Sequence, residues 1–152
     1  QSNWWTWPLM IRPIWYLYEP VAGVQRGVWL IANPAVAWGG LVAVAACLWI
    51  GWRERSWRFL APAGLWLASM AMWAAIPKSL GFYYYYYPST IWLAVALGVA
   101  FGASDPAGEK RRDEWYVTIC LALFAYFWPV LSGAPLGGPD AFHRWTWFDS
   151  WI

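Results

Sequence analysis

Gly81-Phe82-Tyr83-Tyr84-Tyr85-Tyr86-Tyr87-Pro88 sets five consecutive phenols against a proline, a run that an ordinary apolar helix does not contain. Each tyrosine offers a flat apolar body and one donor/acceptor oxygen. That combination suits the boundary between hydrocarbon and water, or the wall of a polar cavity sunk into a membrane. Tyr87 precedes Pro88 and is biased out of the α region, whereas proline is welcome in a first helical turn. The spacing therefore predicts that a helix starts or kinks here. Five phenols in succession cannot all face one cavity, because two or three at most point the same way in a helix or a strand. Tyr84 and Tyr86 are the candidates for lining such a cavity, against the alternative of a plain interfacial anchor.

The surrounding composition places this run in a membrane. Of 152 residues, 61% are hydrophobic, 12% are charged and 17 are tryptophan, whereas a soluble domain carries about 25% charge. The net charge of +2 is too small, and its basic residues too scattered, for a nucleic-acid partner, which calls for a basic face or stripe. Cys47 and Cys120 lie inside apolar runs without Cys-x-x-Cys or Cys/His spacing, and read as buried free thiols packing as small apolar groups. No metal or nucleotide motif is present, and no cofactor is expected; Gly137-Gly138-Pro139 reads as a turn. The chain opens on Gln1, and its first twenty residues lack the pattern of a signal peptide, so a piece of a longer protein is expected.

Uncharged runs near the roughly 20-residue spanning length predict an all-α integral membrane protein with four transmembrane helices at about 34–52, 59–76, 88–102 and 115–131. Counted from Pro88 the third is short, about 22 Å at 1.5 Å per residue, so the tyrosines must supply the rest of the roughly 30 Å core. Gly98 and Gly102 stand four apart and could admit close helix packing. Residues 1–33 form the first flanking segment, where prolines at 8, 13 and 20 forbid one continuous helix. A short broken interfacial helix is expected there, followed by a connection over 21–33. Residues 132–152 form a Trp-rich interfacial tail.

Basic residues in short loops favour the cytoplasmic side. The loops after the first and third spans hold Arg53, Arg55, Arg58, Lys110, Arg111 and Arg112, whereas the opposite face holds Arg12, Arg26, Lys78 and Arg144. Six against four places both termini outside, periplasmic if the membrane is a bacterial inner membrane. The Trp-rich start, the tyrosine run and the tail then share the non-cytoplasmic face.

With those three segments together, the chain resembles the C-terminal four-helix part of the protein O-mannosyltransferase family, over nearly its whole length. The motifs are Trp5-Thr6-Trp7-Pro8-Leu9 followed by Arg12-Pro13; Asn33-Pro34 opening the first span; Phe82 to Pro88, matching an aromatic-Tyr-x-Pro opening of a span; and Trp128-Pro129 before a Trp-rich tail. Where many relatives carry a histidine in the aromatic run, this chain has tyrosine at Tyr84 or Tyr85. The resemblance implies a membrane glycosyltransferase fold (GT-C type) of about eleven spans, of which this segment supplies the last four. It also implies transfer of a mannosyl-type sugar from a polyprenyl phosphate to a serine or threonine hydroxyl, with inversion. The acidic catalytic residues of that family lie in an N-terminal half that this chain does not contain.

The residues agree with that division. A general base needs a carboxylate or histidine where substrate can meet it, and the outside candidates, Glu19, Asp140, His143 and Asp149, form no convincing pair, so no catalytic residue is assigned. Arg12 among aromatics at the membrane surface can hold a lipid phosphate by bidentate hydrogen bonds, against the alternative of snorkelling to headgroups. Lys78 can help neutralise the same phosphate, and His143 and Arg144 are candidate substrate contacts. The expected partners are membrane lipid, a polyprenyl-phosphate sugar and a missing catalytic half. The alternative is a non-catalytic membrane subunit packed into a larger complex, distinguished by whether an upstream half carries an outside acidic pair.

Overall fold

The computed structural model describes residues 2–76 and 81–152. It is mainly helical, but the all-α expectation is corrected at the N-terminal end. After a 3-10 turn at Trp4–Thr6, strands β1 (Ile14–Val21) and β2 (Val24–Leu30) pair antiparallel, where a broken interfacial helix and a connection had been expected. The physical reason lies in the residues themselves. Trp, Tyr, Ile and Val fit a pleated, half-buried surface, and Ala22 and Gly23 both adopt positive φ, 51° and 78°. That is the backbone a two-residue hairpin turn demands, and one glycine supplies most of it. Pro20, which argued against a helix, is admitted in an edge strand. The register shifts between Trp15 and Leu17, a bulge that leaves Tyr16 unpaired and exposed.

Four long helices follow. A π-helical turn at Ala35–Gly39 leads into α1 (Gly40–Glu54); α2 spans Trp57–Ala75; a 3-10 turn at Tyr83–Tyr86 runs directly into α3 (Tyr87–Ser104); and α4 spans Arg112–Leu131. The tyrosine run and α3 thus form one helical stretch of 22 residues, with Pro88 in the first turn of α3. Among the described residues three helical stretches are long and apolar enough to cross a membrane: Ala35–Glu54, Tyr83–Ser104 and Arg112–Leu131. The helix of the second expected span, α2, is not one of them; Arg58, Pro62 and three tryptophans lower its hydropathy.

Helices α1, α2 and α3 each pack on the other two, whereas α4 is packed more loosely and is tied mainly to β2, with smaller contacts to α3 and to the π-helical turn that opens α1. Two side-chain bonds fasten it there. The Tyr116 hydroxyl donates to the Ala35 carbonyl at 2.6 Å, and the Asn33 amide donates to the Cys120 carbonyl at 2.7 Å. Cys47 is fully buried, but Cys120 is only half-buried, which corrects the reading of both as core thiols. Space around Gly98 is open, and Gly102 faces the Arg58 side chain. The close approach of α1 and α3 occurs instead at Gly40 and Leu93.

At the end of the bundle where α1 and α3 begin, the N-terminal segment, the hairpin and the tail close into one aromatic cap. Trp7, Trp29, Trp145 and Trp151 are buried in it, so these indoles are core residues rather than headgroup anchors. Trp15 stacks on Trp29 with ring centroids 4.8 Å apart and planes 9° from parallel. Trp29 meets Trp151 edge-on at 5.4 Å. The Trp151 indole donates to the Met10 carbonyl at 2.6 Å, and the Trp15 indole donates to the Trp151 carbonyl at 3.2 Å. Hydrogen-bonded indoles satisfy the one polar atom that burial would otherwise leave costly. The cap is joined to the bundle through Trp7, which meets Trp73 of α2 at 5.6 Å, and through Ser2, whose amide donates to the Gly81 carbonyl at 2.9 Å.

Candidate functional site

The cap folds so that three distant stretches of sequence meet around Arg12. A cavity of about 340 Å³ is lined by Ser2, Arg12, Pro13, Ile14, Trp15, Phe82, Ser150 and Ile152. Arg12 stands exposed just before the first strand, and Pro13 holds it out of the ladder. Phe82 comes from the head of the tyrosine run and Ser150 from the tail. The combination is a cation, two hydroxyls and aromatic walls, a set that can take an anionic oxygen group with an apolar neighbour. Among the described residues, no carboxylate side chain lines the cavity.

The tyrosine run divides in two. Phe82 stacks on Tyr84, with centroids 5.6 Å apart and planes 8° from parallel, and Tyr84 packs on Tyr85 at 4.4 Å. Tyr84 is 39% exposed, so Phe82 links the Arg12 cavity to an accessible phenol. Tyr86 points the other way. It is fully buried and accepts a hydrogen bond from the Trp66 indole of α2 at 3.1 Å. Tyr83 is fully buried as well, and the Tyr87 hydroxyl donates to the Ile31 carbonyl at 2.9 Å. The last of these ties the head of α3 to the segment between β2 and the opening of α1.

Tyr86→Phe is expected to lower stability by about 1 kcal/mol, because the Trp66 N–H loses its acceptor in a half-buried setting. Thermal unfolding of the purified protein in detergent checks this, and an unchanged midpoint would remove the bond from any structural role.

His143 and Arg144 are exposed on a 3-10 turn at Ala141–Arg144, and neither lines the Arg12 cavity. Their turn is docked on the hairpin. Phe142 packs edge-on against Tyr18 at 5.4 Å and its amide donates to the Tyr18 hydroxyl at 3.2 Å, while that hydroxyl donates to the Pro139 carbonyl at 2.5 Å. The Tyr126 hydroxyl of α4 donates to the Arg144 carbonyl. Lys78 lies outside the described residues. The structure therefore brings together Arg12 and, through Phe82, Tyr84, and leaves Tyr86, His143 and Arg144 elsewhere. Ser2, Phe82 and Ser150 were not singled out from the sequence. Nothing local marks the two serines, because only the folded hairpin and tail bring them beside Arg12.

At the far end of the bundle the Arg111 guanidinium is hydrogen-bonded and ion-paired to Glu114. The hydrogen bond and the adjacent carboxylate charge hold its pKa above the usual arginine value, so it stays charged at any ordinary pH. It plays no part in the Arg12 cavity.

Comparison with known proteins gives a consistent picture. No protein-family model matches the chain, and no solved structure matches it. Among curated proteins, the chain is 28% identical over 173 residues to the polyprenol-phosphate-mannose–protein mannosyltransferase of Mycobacterium tuberculosis, an alignment covering 99% of this chain and 32% of that protein. It is 26% identical over 170 residues to the protein of the same name in Mycolicibacterium smegmatis, with the same coverage. The Corynebacterium glutamicum protein is 28% identical over 163 residues, covering 97% of this chain and 31% of that protein. The chain spans about a third of the length of the curated relatives it matches. These homologues bear the name that the Arg-Pro, Asn-Pro and Tyr-x-Pro motifs indicated, consistent with a C-terminal part of that family. Together with the three apolar helices, they mark the chain as part of an integral membrane protein.

Proposed function

We propose that this chain is the C-terminal membrane portion of a polyprenyl-phosphate-sugar-dependent protein mannosyltransferase, and that it binds the lipid phosphate and helps shape the acceptor groove rather than supplying the catalytic carboxylate. The observation that carries the reading is the meeting of Arg12, Phe82 and Ser150 around one cavity. In a lipid-linked sugar donor the reacting carbon is bonded to the phosphate. A guanidinium fork at that phosphate stabilises the charge that grows on it as the sugar leaves. Phe82 and Tyr84 offer flat faces beside it, and Ser2 and Ser150 offer hydroxyls. The base that activates the serine or threonine acceptor comes from elsewhere in the native polypeptide. Lys78, His143 and Arg144 remain proposed contacts of donor or acceptor, and Tyr86 acts on the site only by holding the tyrosine run in place through Trp66.

In this reading α2 also spans the membrane and completes the set of four. Its 19 residues reach roughly 28 Å at about 1.5 Å per residue, it packs on both α1 and α3, and Arg58 at its first turn can extend to the interface. Both termini then lie on the non-cytoplasmic side, as the distribution of lysine and arginine favours.

The test is equilibrium binding of a polyprenyl phosphate to the native polypeptide that carries this chain. A charge-assisted hydrogen bond is worth about 1.5–3 kcal/mol, so Arg12→Ala is expected to weaken binding by roughly tenfold to a hundredfold. Arg12→Lys should recover only part, since a point charge lacks the bidentate fork. Undiminished affinity in Arg12→Ala would overturn the assignment.

A further inference from the structure

A second cavity lies away from the aromatic cap, between α1, α3 and α4. It is an open-sided groove of about 530 Å³ walled by Gly39 at the end of the π-helical turn and by Val42, Ala43, Ala46 and Ile50 of α1. Leu97, Ala100 and Ala103 of α3 face them, and Tyr116 and Arg112 of α4 close the third side. We infer that this groove binds one acyl chain of an anionic glycerophospholipid, with the lipid phosphate on Arg112, in the leaflet at that end of the bundle.

Three observations carry it. The first is length. From Gly39 to Ile50 the groove follows α1 for roughly 16 Å at about 1.5 Å per residue, which is the depth of one leaflet in a hydrocarbon core of about 30 Å. A chain lying along it spans one leaflet.

The second is packing. Small residues on facing helices ordinarily let backbones close on one another, because van der Waals contact rather than hydrophobic drive holds helices together in lipid. Here α1 and α3 do close, whereas α4 meets them at Tyr116, whose hydroxyl is fastened to the Ala35 carbonyl and whose ring packs on Phe101 at 4.9 Å, and leaves the groove open beside that contact. A gap between helices in a bilayer is filled by the surrounding chains.

The third is charge. Arg112 is the charged member of the lining, and among the described residues it makes no ion pair, whereas its neighbour Arg111 is committed to Glu114. Arg53 lies over the Trp49 ring at 5.6 Å. This end of the chain holds six basic residues, Arg53, Arg55, Arg58, Lys110, Arg111 and Arg112, against five acidic ones, Glu54, Asp105, Glu109, Asp113 and Glu114. The general field is therefore weak, and selectivity for a negative headgroup rests on Arg112 in the lining of the groove. Basic pockets between transmembrane helices recognise anionic headgroups in this way.

The experiment is native mass spectrometry of the native polypeptide carrying this chain, released from micelles doped with equal amounts of phosphatidylglycerol and phosphatidylcholine of matched chain length. The unaltered protein is expected to retain phosphatidylglycerol at least fivefold over phosphatidylcholine in its most tightly held adduct. Arg112→Gln should bring that ratio close to one without changing the total retained, because the chain still fits. Ala46→Trp should remove the tightly held adduct whichever headgroup is offered, and Arg53→Gln should change nothing. Equal retention of the two lipids by the unaltered protein would overturn the proposal, as would full phosphatidylglycerol selectivity in Arg112→Gln. A groove occupied by another helix of the native polypeptide would show itself as no tightly held adduct at all, and would overturn it equally. If Ala46→Trp fails to fold, the unaltered protein and the surface variant Arg112→Gln still decide between these outcomes.

Discussion

Trp151→Ala is expected to destabilise the protein by about 3–5 kcal/mol, the range for removing a large aromatic from a packed core. Trp151 is 2% exposed and is the residue on which the three parts of the cap converge. Its ring meets Trp29 at 5.4 Å, Phe148 at 5.0 Å, Trp147 at 5.7 Å and Trp38 at 6.4 Å. Its indole N–H satisfies the Met10 carbonyl, and its own carbonyl satisfies the Trp15 indole. Alanine keeps the carbonyl but removes the ring and leaves Met10 without its donor. Trp151→Phe separates the two contributions: most of the ring contact survives, the Met10 carbonyl loses its partner, and a loss of about 1 kcal/mol is expected. Reversible unfolding in mixed micelles, followed by tryptophan fluorescence, measures both. A loss below about 1 kcal/mol for Trp151→Ala, less than a single lost hydrogen bond, would mean that the tail is merely laid on the hairpin rather than built into it. The same variant should also open the Arg12 cavity, since Ser150 precedes Trp151 and lines that cavity. Stability and phosphate binding are therefore expected to fall together.

The contrast between what the residues announced and what they concealed follows from the range of the forces involved. Membrane-length apolar runs are local signals, and the helices α1, α3 and α4 sit on such runs. Arg12 was legible because a guanidinium among tryptophans beside a proline is unusual chemistry wherever it falls. The hairpin was hidden by its prolines and by its aromatic content, which reads equally as an interfacial helix and as a strand. The distinguishing feature, Ala22-Gly23 between two valines, is a weak turn signal on its own. The role of the tryptophans was concealed for a different reason. An indole at a headgroup and an indole in a core look identical in sequence, and only the pairing of Trp15 with Trp29, across the hairpin, and of Trp29 with Trp151, between the hairpin and the far end of the tail, decides between them. Likewise, the five tyrosines are equivalent in the sequence. Their division into a buried pair, Tyr83 and Tyr86, and an exposed pair, Tyr84 and Tyr87, follows from the 3-10 turn at Tyr83–Tyr86 running into α3.

Leu93→Gly is expected to cost about 3–6 kcal/mol, the cost of emptying a core leucine site plus about 1 kcal/mol for glycine in a helix, and Gly40→Ala in the same molecule is expected to return part of that loss. Leu93 is fully buried where α3 crosses α1, and it occupies the space that any side chain at position 40 would need. A Cβ on Gly40 would stand 2.5 Å from the Leu93 Cβ and 3.3 Å from its backbone. Removing the whole leucine side chain leaves a cavity between two helices that cannot fully collapse. Gly40→Ala alone over-packs the same point and should cost about 1–3 kcal/mol, because the obstruction is the root of a side chain and not its flexible end. In the double variant the Cβ that obstructed the added methyl is gone and the nearest backbone atom of residue 93 is its Cα, 3.3 Å away, so the combined loss should be smaller than the sum of the two single losses, with a coupling energy of about 0.5–3 kcal/mol. Additive losses would show that α1 and α3 do not meet at this point. A coupling of that size would place the close contact of the bundle at Gly40 and Leu93 and not at the glycine pair of α3. That contact sets the spacing of α1 and α3, whose residues from Val42 to Ile50 and from Leu97 to Ala103 wall the groove that Arg112 also lines. The groove should therefore survive in the double variant and be distorted in Gly40→Ala.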